Sequence, residues 1–153
     1  MMPDMDVQFN VSDQELLKLI KTVPDVNMPG RDGRTLLIHA ALYNRIEILK
    51  WLLEHGGNID AQDYEGLTAL HCAAASKHYV IAEILVSHHA QLNLRDRYGN
   101  TPLFRVSHLQ PEMALLLVRA GADCKVKNLY DVSLYDKYQA YPDMIAILEG
   151  KTK

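Results

Sequence analysis

Asp63-Tyr-Glu-Gly-Leu-Thr-Ala-Leu-His-Cys-Ala-Ala74, then an apolar run, then Ala90-Gln-Leu-Asn-Leu-Arg95 decide how this chain folds, because a shift of 33 residues brings the pattern back. Gly33, Gly66 and Gly99 fall into register, followed by Thr35, Thr68 and Thr101 and then by Leu37, Leu70 and Leu103. A fourth copy opens at Asp131, with Ser133 and Tyr135 in the matching places. A period of this length marks stacked supersecondary units, each too small to bury its apolar face alone.

Outward from that stretch, the chain divides at the period. Residues 1–11 show no periodicity and read as a flexible lead-in. Residues 12–29 form an N-terminal half-unit. Ser12-Asp-Gln-Glu15 is a capping box that starts a helix, with Leu16, Leu17, Leu19 and Ile20 as its apolar stripe. Repeats follow over 30–62, 63–95 and 96–127, and a closing unit over 128–153. In the first repeat Thr35 caps a helix over Leu36 to Leu42, Asn44 takes the inter-helix turn, and Ile46 to Leu53 supply a second helix with Trp51 on its packing side. Gly56 ends that helix through a left-handed cap, and in the second repeat His89 stands in the same place at a cost of about 1 kcal/mol. The third repeat is one residue shorter, with Pro102 and Pro111 each opening a helix. In the closing unit Asp136, Lys137 and Asp143 are expected on a wetter outer side.

The Thr-x-Leu-His-x-Ala pattern at Thr68 to Ala73 resembles the ankyrin-repeat family, and the resemblance runs from about Ser12 to Leu148. It implies an all-α ankyrin-repeat solenoid: three full repeats of helix-turn-helix with hairpin-like loops, capped at both ends. It also implies a structural role for His71, whose ring in the family bridges backbone groups of adjacent loops. Ile38 and Phe104 replace it next door, so those interfaces are expected to lean on apolar contact.

Composition limits the function. The net charge is −3, and a nucleic-acid reader needs a basic stripe. Residues 1–30 carry Asp4, Asp6, Asp13, Glu15 and Asp25 against Lys18 and Lys21, a balance of −3. Residues 96–127 carry Arg97, Arg105, Arg119, Lys125 and Lys127 against Asp96, Glu112 and Asp123, a balance of +2. That excess reads as solvated surface or as a seat for an acidic patch. No apolar run approaches the roughly 20 residues that span a bilayer, so no membrane partner is expected. Cys72 and Cys124 lack metal-ligand spacing and read as reduced thiols of a cytoplasmic protein. No zincin, paired-cysteine, phosphate-loop or nucleophile-elbow motif is present, so no cofactor, metal or catalytic residue is expected. A thiol or metal enzyme built on His71, Cys72 or His88 stays open as the rival class.

Family resemblance also implies where binding falls: on a concave face lined by hairpin tips and first helices. Carried onto this chain, the tips are Arg31, Asp32 and Arg34; Tyr64, Glu65 and Leu67; Arg97, Tyr98 and Asn100; then Leu129, Tyr130 and Val132. The helix ends add Leu42 and Tyr43, His108 and Leu109, and Tyr141. Five of the eight tyrosines lie there with three arginines, and these are residue types enriched at interface hot spots. The expected activity is non-enzymatic binding of a folded protein by a monomer, as a stoichiometric inhibitor. Gly99 to Arg105 and Val132 to Tyr135 also resemble small bacterial ankyrin proteins encoded beside secreted toxins as immunity factors. Inhibitory ankyrins that retain transcription factors, and self-assembly through the Tyr130–Tyr141 end, are the other readings.

Overall fold

A computed structural model describes residues 11–152. The lead-in expected over residues 1–11 therefore lies, but for Val11, outside the described residues. Among these residues the elements are all helices: α1 (Asp13–Ile20), α2 (Leu36–Leu42), α3 (Ile46–Glu54), α4 (Ala69–Ser76), α5 (Tyr79–Ser87), α6 (Pro102–Arg105), α7 (Pro111–Arg119), α8 (Leu134–Tyr138) and α9 (Pro142–Leu148).

Two rows result. In one, α2 packs on α4 and α4 on α6; in the other, α1 packs on α3, α3 on α5 and α5 on α7. The unit before the first repeat thus supplies a member of the second row. Its start is the expected capping box, with the Ser12 hydroxyl and Glu15 carboxylate 2.7 Å apart. Only Leu16 and Ile20 of its stripe are buried; Leu19, expected with them, is exposed because it lies off the face that meets α3.

The internal helices begin and end by one local rule. Thr35 and Thr68 accept the backbone N–H three residues on, satisfying a donor that the first turn leaves free. Asn44 and Lys77 sit in the left-handed region at φ 55° and 65°, so the chain reverses over residues 43–45 in the first pair and 77–78 in the second. At the second-row ends, Gly56, His89, Gly121 and Gly150 take the same conformation. Each lets the next N–H reach back to a last-turn carbonyl, as from Gly57 to Leu52 at 2.8 Å and from Ala90 to Leu85 at 3.0 Å.

The third pair departs from the rule. Helix α6 has four residues, and Val106 turns extended after it. Gln110 precedes Pro111 and is kept from helical geometry; its side chain instead accepts the Ser107 N–H at 2.8 Å. The carbonyls this leaves open are capped from the next unit. Lys137 Nζ donates to the Val106 carbonyl at 2.7 Å and also to that of Phe104, and the buried Tyr138 hydroxyl donates to Val106 at 2.7 Å. Lys137 is therefore turned inward rather than onto the wetter outer side, and burial beside Arg105 pushes its ammonium down to about 8. The neighbours of the His71 interface are not purely apolar either: this cap serves one, and His78 Nδ1 lies 2.9 Å from the Ala41 carbonyl at the other.

Candidate protein-binding face

The second, third and fourth hairpin tips are each built by an acid or amide at the foot of the loop. Asp63 Oδ1 accepts the N–H groups of Glu65 and Leu67 at 2.9 and 2.8 Å. Asp96 does the same for Tyr98 and Asn100, and Asn128 for Tyr130 and Val132. The tips are then stitched to one another by backbone bonds: Tyr64 N–H to Asp32 at 3.1 Å, Arg97 N–H to Glu65 at 2.8 Å, and Leu129 N–H to Tyr98 at 2.9 Å. This stitching explains the glycines. A β-carbon on Gly33 would meet the Tyr64 ring at 2.6 Å, and one on Gly66 or Gly99 would meet the next tip's backbone at 2.9 Å. A third ladder ties the far loops, with Asn27, Asp60 and Asn93 accepting from Asn58, Gln91 and Asp123 at 2.6, 2.8 and 2.9 Å.

His71 joins the second tip to the third. Its Nδ1 lies 3.2 Å from the Thr68 N–H and 2.9 Å from the Thr68 hydroxyl, and its Nε2 lies 3.0 Å from the Asn100 carbonyl. The Thr68 N–H must donate to Nδ1, so Nε2 carries the proton and donates to Asn100. Burial holds the imidazolium below its usual range, against the favourable pull of Asn100. Beside it Cys72 is buried, which pushes its thiol up to about 11, far from the thiolate a nucleophile needs. Among the described residues no group of three His, Cys, Asp or Glu could hold a metal.

Of the charged residues expected at the face, Asp32, Arg34, Glu65 and Arg97 have partners. Arg34 bonds Asp32 and Asp63, each at 3.2 Å. Arg97 Nη1 meets Glu65 at 2.6 Å while its guanidinium lies 4.7 Å above the Tyr98 ring. Arg105, counted above toward a positive third repeat, is held on the buried Asp96. Burial opposes ionisation of Asp96, yet the Asn100 N–H, Arg105 and the Tyr98 N–H together hold its carboxyl below the usual range.

Of the remaining expected positions, Arg31 and Tyr64 are exposed, while Asp32, Glu65, Leu67, Tyr98 and Asn100 are half-buried. Tyr98 and Tyr130 stack with ring centres 6.5 Å apart, and Leu129 lies exposed beside them. At the helix ends Leu42 is half-buried and Tyr43 exposed, with the Tyr43 ring parallel to that of His39. His108 stacks on Tyr141 at 3.9 Å, and the exposed Leu109 borders a groove of about 220 Å³ with Tyr79 and Met113. Sequence reading missed Asp63, Asp96 and Asn128, and Asn27, Asp60 and Asn93; their own recurrence near the period was the available signal.

Residues 7–96 and 65–128 match the family profile of ankyrin repeats, in three copies. Human Rabankyrin-5 is 44% identical over 126 residues, covering 72% of this chain and 11% of that protein. The mouse B-cell lymphoma 3 protein homolog is 34% identical over 65% of this chain and 22% of its own length. Human diacylglycerol kinase iota is 34% identical over 67% of this chain but 10% of its own length. The chain thus spans about a tenth of the length of Rabankyrin-5. No helix among the described residues is long and apolar enough to cross a membrane.

Proposed function

The chain belongs to the ankyrin-repeat family, whose repeats are protein-interaction modules, and from that premise we propose that it binds a folded protein through the hairpin tips and the ends of the first helices, without catalysis of its own. The observation that carries this reading is the aromatic tip surface. Tyr64 and Tyr130 remain 74% and 69% exposed although the ladder beneath them is fixed residue by residue. Side chains held on a rigid frame bind with little ordering cost, which is what an interface anchor needs. The role we assign is stoichiometric inhibition: a pre-formed face covers the partner's working surface. Both cysteines are free thiols, in keeping with a reducing, cytoplasmic setting.

The test replaces Tyr64, Arg97 and Tyr98 together by Ala and measures affinity for the protein that the wild type retains from its source cell. Loss of at least about tenfold is expected, since hot-spot truncations cost about 2 kcal/mol or more. Unchanged affinity in a triple variant with wild-type circular dichroism would refute the placement. A one-to-one titration that leaves the partner's activity intact would remove the inhibitory role.

A further inference from the structure

The ion pairs at the tips say what kind of surface this face fits. Glu65 and Arg97 neutralise each other at 2.6 Å, and Asp131 is matched by Lys127 at 2.9 Å. Arg34 is divided between Asp32 and Asp63. The exposed Arg31, on the first tip, and Arg95, at the foot of the third, lie outside those pairs. At the third and fourth tips the large exposed side chains outside those pairs are Leu129, at 71% exposure, Val132, and Tyr130 stacked on the half-buried Tyr98.

We infer that the seat formed by Leu129, Tyr130 and Tyr98 takes an uncharged apolar or aromatic segment of a protein partner, not an acidic one. The inference rests on the binding face proposed above and specifies its chemistry. An acidic side chain reaching Arg97 meets a guanidinium that Glu65 already holds, and lies beside a carboxylate of its own sign. A basic one meets Arg97 itself. An uncharged segment covers Leu129 and Tyr130 while the Arg97–Glu65 pair keeps its bond, so apolar area leaves water and no charge loses its partner. Association of this kind responds weakly to salt, because no new charge pair forms.

A random peptide library displayed on phage and selected on the folded chain tests this, with the selected peptides then synthesised and titrated. The expected consensus has apolar or aromatic anchors and no fixed charge. Its dissociation constant should change less than about twofold between about 50 and about 500 mM NaCl. Leu129→Ser with Tyr130→Ser should weaken binding at least about tenfold, both sites being exposed enough to leave the fold intact. An acidic consensus, or weakening of about tenfold or more across that salt range, overturns the apolar seat while leaving the binding face in place. Peptides that bind the double variant undiminished but not the Tyr64, Arg97 and Tyr98 triple variant also overturn the seat alone. Peptides indifferent to both variants overturn the face as well. A library that yields no binder counts against the seat. So does a concentration-dependent dimer in sedimentation that the double variant abolishes, since a second copy is then the occupant.

Discussion

Replacing His71 by Phe, the residue that Phe104 already supplies one repeat later, removes the polar link between the second and third tips while keeping ring volume. Two losses follow from the geometry. The bond from Nε2 to the Asn100 carbonyl at 3.0 Å goes, worth about 1 kcal/mol. The Asn100 carbonyl keeps a second donor, the Asp96 N–H at 2.9 Å, so it is not orphaned. The buried Thr68 N–H has its ring acceptor at 3.2 Å and loses it, a desolvation cost of about 1–3 kcal/mol. Cavity terms are small because Phe fills the site. The sum is about 2–4 kcal/mol, read from urea denaturation near neutral pH. The pH dependence is a second readout. The folded-state pKa of His71 lies below the unfolded value of about 6.5, so the unfolded chain takes up the proton first as pH falls. The ring's contribution is whole above that pH and is lost below it, with a slope of at most about 1.4 kcal/mol per pH unit. The gap between wild type and variant should therefore narrow on acidification. A loss under about 0.5 kcal/mol, or a gap that widens in acid, would refute the account of this link.

Three further outcomes rest on single residues. His89→Gly should raise stability by about 1 kcal/mol, because His89 holds φ 63° where its neighbours use glycine; an unchanged or lower thermal midpoint counts against it. Gly33→Ala should lower stability by about 2–4 kcal/mol, from φ 82° and a β-carbon 2.6 Å from the Tyr64 ring, and thermal unfolding of the variant measures it. Tyr138→Phe should cost about 1 kcal/mol by chemical denaturation, since the Val106 carbonyl keeps Lys137 as a donor; a loss above about 3 kcal/mol would mean that the lysine does not cap it.

The helix pairs were legible in the sequence because their signals are local. Thr35 and Thr68 precede the runs they cap, and Gly56 and His89 follow the runs they end. What escaped reading is what closes over distance. Asn27 and Asp60 look like ordinary loop residues until the backbone about thirty residues onward arrives to donate to them. Lys137 reads as a solvated charge on a short helix, yet the early end of α6 leaves carbonyls that draw it inward, beside the Tyr138 hydroxyl. Arg97 adds to the positive balance of residues 96–127, while in space Glu65 of the preceding tip cancels it. The tip positions came from periodicity and resemblance together; the pairing of Arg97 with Glu65 and of Lys127 with Asp131 around Leu129 and Tyr130 needed the fold.

The most direct check on the central claim is backbone and aromatic NMR of the labelled chain during titration with a library-selected peptide. Shifts confined to Tyr64, Arg97, Tyr98, Leu129 and Tyr130 and their neighbouring tips are predicted. Shifts confined to α3, α5 and α7 with the tips unmoved would contradict it.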